Sequence, residues 1–353
     1  MEPTPRLNAD APIEVVEART LFRGTSVRRR GAASLRRLGS GRLLMTWFEG
    51  TGPEHRNDGA VMLSHSDDRG ATWDEPFPIY AYPGWDSLPL GGLALVRDDL
   101  LHLVLGRVKF DASLGGDEPF AGWYMAATTS RDGGRTWSDL GPEIELFPQW
   151  TELYGTSNPH LRADGRLIWA VLGTLGRDEQ WQAAVTTTGR DDLAFTPPVV
   201  IAADPERNFA DTDLIRVEGA RFIAVIREMN SRDAHVAFSD DECRTWFGLR
   251  PTGFKGANIK LFRLRDGSLL CAHRDEDPIR RGVSVHHSRD GGETWQFVGQ
   301  LYSDPGARHQ PGGLCGYPDM ASLGGGEIAC TLHTYTDAEG RADIQFLRLR
   351  DRT

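Results

Sequence analysis

Short apolar runs, four to six residues long and rich in branched and aromatic side chains, recur along the chain and are separated by clusters of Gly, Pro, Asp and Ser. Leu43-Leu44-Met45-Thr46-Trp47-Phe48 and Phe222-Ile223-Ala224-Val225-Ile226 are two of them. Runs of this length and composition bounded by turn residues read as β-strands. No long stretch shows the three-and-four spacing of an amphipathic helix. The pattern therefore predicts an all-β chain of many short strands.

One octapeptide, Ser/Thr-x-Asp-x-Gly-x-Thr-Trp, punctuates these strands four times. It reads Ser66-Asp68-Gly70-Thr72-Trp73, Ser130-Asp132-Gly134-Thr136-Trp137, Ser239-Asp241-Cys243-Thr245-Trp246 and Ser288-Asp290-Gly292-Thr294-Trp295. The third copy departs from the rest by having Cys243 at the glycine position. Each residue type suits a tight hairpin turn. The Asp carboxylate accepts backbone N–H groups of its own turn, Gly supplies a positive φ, and Trp anchors the turn in the apolar layer. The tryptophans stand 64, 109 and 49 residues apart. The middle gap spans two repeats, and Thr187-Thr188-Gly189-Arg190-Asp191-Asp192-Leu193-Ala194-Phe195 sits inside it like a decayed copy.

This motif is the Asp box, and its repeated form resembles the sialidase superfamily of β-propellers. A repeat of about 55–60 residues is one four-stranded blade. The 353 residues then make a six-bladed β-propeller in a single domain covering 1–353, with the octapeptides on outer-strand hairpins away from the arginines. The last strand, Asp343–Leu349, has no motif after it and is expected to pair with an N-terminal strand, which leaves neither edge open.

Composition narrows the partners. A net charge of −10 argues against nucleic acid or an anionic membrane as the principal partner. No apolar run approaches the length needed to span a bilayer, and Met1-Glu2-Pro3-Thr4-Pro5 is not a signal peptide. Cys243, Cys271, Cys315 and Cys330 have no motif spacing and read as reduced thiols. The expected location is the cytoplasm. No cofactor or metal is expected, because histidines and cysteines lack ligand spacing. The octapeptides are too short to be calcium loops and lack the bidentate Glu at the twelfth position.

The sialidase resemblance implies particular site residues. Members of that family hold the substrate carboxylate with three arginines, attack with a Tyr assisted by a Glu, and use an Asp as acid/base. Gly316-Tyr317-Pro318-Asp319-Met320 resembles the segment that carries the nucleophile, which implies Tyr317. Asp211 in Asp211-Thr212-Asp213 occupies the position of the Glu, one methylene shorter, and Arg227 at the end of the next strand matches the second arginine. Arg281, seven residues before Ser288, falls where the third is carried; Arg280 competes for the role and Arg274 is a further alternative. The family's Arg-Ile-Pro motif is missing. Arg28-Arg29-Arg30 stands in its place, with Arg30 chosen and Arg28 on the same strand face. For the acid/base, Asp58 has the right residue type and Glu54 the better spacing. Asp86, the stretch from Tyr154 to His160, and His309 are further candidates for lining the channel.

The chemistry has a physical rationale. The anomeric carbon of a sialoside bears a carboxylate, so an anionic nucleophile faces like-charge repulsion at short range. A phenol deprotonated during attack by a neighbouring carboxylate avoids it. Guanidinium groups bind the substrate carboxylate in a planar, bidentate manner. The resemblance thus implies a retaining exo-glycoside hydrolase that releases a terminal sialic acid or similar carboxylate-bearing sugar. Two alternatives stay open: an enzyme of this fold acting on another acidic sugar by hydrolysis or elimination, and a glycan-binding propeller without catalysis.

Overall fold

The computed structural model describes residues 5–25, 29–51, 56–89, 92–97, 99–114, 120–141, 143–144, 152–155, 157–174, 179–303, 315–335 and 342–353. Among them no α-helix forms, and a single 3₁₀ turn stands at Ala112–Leu114. The all-β expectation holds.

The described strands form five antiparallel sheets, the eight-stranded one divided by a shared long strand, which gives six successive units. The first runs outward through Arg29–Arg37, Leu43–Gly50, Ala60–Ser66 and Phe77–Ala81. The second pairs Leu100–Phe110 with Phe120–Ser130 on one side and with two short pieces, Asp86–Leu88 and Leu93–Arg97, on the other. Its outer edge is an irregular segment tied on by Ser138 N–H to Thr129 O and Ile144 N–H to Met125 O, both 2.9 Å. The third comprises Glu152–Gly155 and His160–Leu161, then Leu167–Thr174, Gln182–Thr188 and Val199–Ala202. The fourth and fifth share the long strand Phe247–Arg263, whose first half closes Phe209–Glu218, Arg221–Glu228 and Asp233–Ser239. Its second half opens Leu269–Asp275, Gly282–Ser288 and Gln296–Ser303. The sixth comprises Cys315–Gly324, Glu327–Tyr335 and Ala342–Asp351, and its outermost strand is the N-terminal Ile13–Phe22, paired from Ile13↔Asp351 to Phe22↔Ile344. The expected pairing of the last strand with an N-terminal one is present.

Apolar layers join consecutive units. Leu44 and Val61 meet Leu101 and Leu103 between the first and second, and Val104 and Met125 meet Trp169 and Val171 between the second and third. Ile168 and Val185 meet Phe209 and Phe222, Val225 and Phe238 meet Leu261 and Cys271, and Val283 and Leu301 meet Ile328 and Leu347. Leu323, Ile344 and Phe346 of the sixth unit pack on Leu35, Met45 and Trp47 of the first. A strand covered on both faces has no solvated side to mark with polar residues. All eight residues of Leu43–Gly50 are accordingly buried, which is why that run shows no alternation.

Each octapeptide follows the third strand of its unit and turns the chain into the fourth strand or, in the second unit, into the irregular edge segment. In the first, Asp68 Oδ1 accepts from Thr72 N–H (2.8 Å) and Ser66 Oγ–H (2.9 Å), while Ser66 Oγ accepts from Gly70 N–H (2.8 Å). The same bonds recur at Asp132, Asp241 and Asp290. Cys243 keeps the turn by adopting φ 65°, and its N–H still reaches Ser239 Oγ at 2.8 Å. Strand register sets these turns at the end of each sheet away from Arg227 and Arg274: Ser239 pairs with Phe222 while Ala234 pairs with Arg227, and Ser288 pairs with Leu269 while Val283 pairs with Arg274.

Candidate functional site

The innermost strand of every unit is interrupted at the same height. In the fourth unit Ala210 pairs with Arg227 and Asp213 with Val225, so Asp211 and Thr212 bulge out of the ladder. The fifth repeats this with Ala257↔Arg274 and Lys260↔Ala272, freeing Asn258 and Ile259. The sixth has Gly316↔His333 and Asp319↔Thr331, freeing Tyr317 and Pro318. The first has Gly31↔Phe48 and Ser34↔Thr46. In the second and third units the break is longer and splits the inner strand in two.

Asp211, Asn258 and Tyr317 hold the same unusual backbone, with φ of 39°, 52° and 47°. Non-glycine residues in this region are strained, and such strain collects where a side chain must be aimed. The interruptions of all six units line one pocket, through Ser34, Pro89, Asn158, Asp211, Asn258, Lys260, Tyr317 and Asp319 among others. Its cavity volume is about 50 Å³.

Beside the bulges lies a charged cluster. Arg227 Nη1 donates to Asp211 Oδ2 (3.0 Å), and Asn258 donates to the same oxygen from its backbone N–H (3.2 Å) and from Nδ2 (3.4 Å). Arg274 reaches Glu276 Oε1 from both Nε and Nη2 at 2.9 Å, Arg232 reaches Oε2 at 2.8 Å, and Arg227 Nη2 stands 3.9 Å from Oε1. Burial opposes the charge of Glu276, but Arg274, Arg227 and Arg232 outweigh it and hold the carboxyl at about 2. Burial likewise opposes the charge of Arg274, and Glu276, Tyr317 and Asp211 outweigh it and raise its pKa. Three guanidinium groups thus meet two carboxylates. The Tyr317 ring stacks on His333, with centroids 5.5 Å apart.

Beneath the bulges the pocket floor is a buried polar network. Lys260 Nζ lies 3.2 Å from Asp319 Oδ1 and 3.6 Å from Asp213 Oδ2. Asp319 Oδ2 accepts from Leu35 N–H and Asn158 Nδ2, both at 2.7 Å, and Asp213 Oδ2 accepts from Leu261 N–H at 2.7 Å. Asn158 Oδ1 accepts from Ser34 Oγ–H (2.8 Å) and Leu93 N–H (2.9 Å). Burial raises the pKa of Asp213. In Asp319 burial acts the same way but is outweighed by Lys260, Arg36 and the Leu35 N–H, so its pKa is lowered.

The structure treats the expected residues unequally. Asp211, Arg227 and Tyr317 come together around the pocket. The register favours Arg274 over Arg281: Arg274 ends the second strand of its unit as Arg227 does, whereas Arg281 precedes the third strand, one strand further from the pocket. Arg280 pairs with Asp275 (3.1 Å) and Asp277 (3.2 Å) and lies over the outer-strand ring of Phe297. Asp58 is exposed, and its carboxylate accepts from Thr51 N–H (3.1 Å) and Thr51 Oγ–H.

Asp86 does not line a channel. It is fully buried, and its Oδ1 accepts the N–H groups of Asp58 (3.0 Å) and Gly59 (2.7 Å). His160 packs edge-on against Phe222, and burial takes its pKa down to about 3. Arg30 sits on the inner strand of the first unit, paired with Glu49; its side chain lies outside the described residues, as do the side chain of Tyr154 and the whole of Arg28, Glu54 and His309. Among the described residues no group of three or more His, Cys, Asp or Glu is placed to hold a metal, and no helix is long and apolar enough to cross a membrane.

Sequence reasoning missed Glu276, Asn258 and Lys260. The signal available for the last two was an offset: Asp211/Asp213, Asn258/Lys260 and Tyr317/Asp319 are the same two positions in three consecutive units.

Residues 41–330 match the BNR repeat-like domain family. The chain belongs to that family. No curated relative matches it. Among solved structures, this BNR repeat-like chain is similar to a protein of unknown function from Dyadobacter fermentans, with TM-score 0.81, 18% identity and coverage of 97% of this chain and 100% of that one. It is also similar to a Hadza microbial sialidase (TM-score 0.70, 18% identity, 91% of this chain and 65% of that one). An intramolecular trans-sialidase from Ruminococcus gnavus gives TM-score 0.69 at 13% identity, covering 95% of this chain and 98% of that one. At these identities the likeness is one of fold.

Proposed function

We propose that the chain is a retaining exo-glycosidase that releases a terminal sialic acid or a similar carboxylate-bearing sugar, with the six units acting as the blades of one propeller domain. The propeller reading is supported by the apolar layers, which run between consecutive units and return from the sixth to the first. The observation that carries the chemistry is the matched placement of Asp211 and Tyr317: equivalent bulges, left-handed backbones and one shared pocket, with Arg227 and Arg274 alongside.

In this reading Arg227 and Arg274 hold the substrate carboxylate, and Arg30 is proposed as the third arginine. Tyr317 Oη attacks the anomeric carbon as its proton passes to Asp211. The glycosidic C–O bond breaks with its electron pair on the leaving oxygen, which takes a proton from Asp58. Water then displaces the tyrosine oxygen, giving its proton to Asp58, while Tyr317 recovers its own proton from Asp211. All the hydrogen bonds described at Asp211 fall on Oδ2, which leaves Oδ1 to accept that proton.

Tyr317→Phe tests the reading, because it keeps the ring on His333 and removes the oxygen. Turnover of an aryl α-sialoside should fall by several orders of magnitude with the fold intact, and proton NMR should show the wild-type enzyme releasing the α-anomer first. Full activity in Tyr317→Phe, or a first-formed β-anomer, rejects the tyrosine as nucleophile. One departure favours a second reading, in which the same site cleaves another acidic sugar by hydrolysis or elimination: Asp211 stands where the sialidase pattern has Glu, so the base is one methylene shorter.

A further inference from the structure

We infer that Lys260 is a positioning residue that fixes the separation of Tyr317 and Asp211 by tying together the two strands that carry them. The inference rests on the roles proposed for Tyr317 and Asp211. Asp319 lies two residues after Tyr317, and Asp213 two residues after Asp211, each where its inner strand rejoins the ladder. Lys260 occupies the same place in the fifth unit, between them. Its ammonium stands 3.2 Å from Asp319 and 3.6 Å from Asp213.

The three side chains are at most 10% exposed, and Asp319 and Asp213 are further held by the N–H groups of Leu35 and Leu261 at 2.7 Å. Ion pairs away from water are only weakly screened, so the ammonium attracts both carboxylates strongly. The bulges above the bridge are strained, since Asp211 and Tyr317 hold φ of 39° and 47°, and such a backbone persists only where its surroundings over-determine it. Proton transfer from Tyr317 to Asp211 requires an oxygen–oxygen distance of roughly 2.6–3.2 Å in the reacting complex, and misplacement by about 1 Å costs on the order of 10²-fold. A two-armed cation at the base of both bulges sets that distance without touching substrate.

The experiment reads the nucleophilic step apart from binding. A difluorinated sialosyl label, which loses fluoride as Tyr317 Oη bonds to its anomeric carbon, reports attack through mass spectrometry of the labelled peptide. The 2,3-unsaturated sialic-acid analogue reports binding, since it needs no nucleophile. Lys260→Met leaves two carboxylates without their cation, so the double variant Asp213→Asn/Lys260→Met, which removes one charge of each sign, guards against simple misfolding. In the double variant, labelling of Tyr317 should slow at least tenfold while affinity for the unsaturated analogue stays within about twofold. Lys260→Arg, which keeps two donor arms, should recover part of the rate. Unchanged labelling, or an affinity loss as large as the rate loss, overturns the positioning role. If the wild-type protein is not labelled at Tyr317, the proposed nucleophile fails first and this inference goes with it.

Discussion

Arg227 and Arg274 hold the same register position in adjacent units, the first paired with Ala210 and the second with Ala257, and both approach the Glu276 carboxylate. Their guanidinium groups therefore converge on one carboxylate, and Arg227 also holds the bulged Asp211. A carboxylate held by both arginines loses charge-assisted hydrogen bonds when either is truncated, worth on the order of 1.5–3 kcal/mol each. Arg227→Ala and Arg274→Ala should each lower kcat/KM for a carboxylate-bearing substrate by roughly 10- to 150-fold, mostly through KM. Arg281→Ala should stay within about twofold of wild type. Steady-state kinetics on one substrate compares all three, and a larger effect at Arg281 than at Arg274 removes the register argument.

Glu276 makes the acid stability of this cluster measurable. Its folded pKa of about 2 lies below the ordinary 4.5, so the unfolded chain binds its proton first as pH falls. The stabilisation is complete above about pH 4.5 and is lost progressively as pH drops toward 2. Glu276→Gln should therefore be less stable than wild type at pH 7, by up to about 3 kcal/mol, and the two should converge on acidification. Urea melts between pH 7 and pH 3 measure the gap. A pH-independent difference shows that packing rather than charge is what the substitution disturbs.

How much of this was readable beforehand follows from what residue type encodes. The strand-rich fold and its turns were legible because the octapeptide spells out its own hydrogen bonds: an Asp to accept, a Gly to turn, a Trp to bury. Resemblance to known segments singled out Asp211, Arg227 and Tyr317, and the structure sets Asp211 and Tyr317 on one pocket with Arg227 bonded to Asp211. The left-handed bulges were not, since Asp, Asn and Tyr do not announce a positive φ as Gly does. Counting back from Ser288 led to Arg281, because that count places the arginine before the third strand; register instead matches Arg227 with Arg274 at the end of the second. Lys260 escaped notice because its partners, Asp213 and Asp319, are distant in sequence and meet only through three separate strands. For Asp86, one of several channel candidates, a lone carboxylate in a Gly-Trp-Asp-Ser turn does not reveal that its Oδ1 points at the backbone of residues 58 and 59.

That contact makes Asp86 testable as a support for the segment that carries Asp58. Its Oδ1 accepts two N–H groups from the segment that carries Asp58, and Gly59 lies so close that an added Cβ would fall 1.9 Å from the Phe48 ring. Asp86→Ala strands both donors and frees the segment, at a stability loss of about 1–3 kcal/mol. Asp86→Asn retains a carbonyl oxygen to accept them. If Asp58 has the acid role proposed for it, the Ala variant should lower kcat well below that of the Asn variant on a substrate with a poor leaving group. On an activated aryl glycoside the two should differ little. Equal losses on both substrates mean that Asp86 serves the fold alone.

The octapeptide turns permit a test in which one substitution strains the chain and its reverse does not. Gly70 holds φ 86°, and an added Cβ would sit 2.5 Å from Cζ of Phe346. That ring is packed edge-on against Trp73 and fully buried, so it has little room to withdraw. Gly70→Ala combines left-handed strain of about 1 kcal/mol with overpacking of about 1–3 kcal/mol. Cys243 already carries a side chain at the equivalent place, with φ 65°, and is buried among residues that include Ile168 and Ala170. Cys243→Gly relieves the backbone strain but forfeits the buried sulfur and gains unfolded-state entropy, so the opposing effects nearly cancel, to within about 1 kcal/mol. Thermal melts should therefore show Gly70→Ala several degrees below wild type and Cys243→Gly close to it. If Gly70→Ala melts with wild type, close approach between neighbouring units is not what reserves that position for glycine.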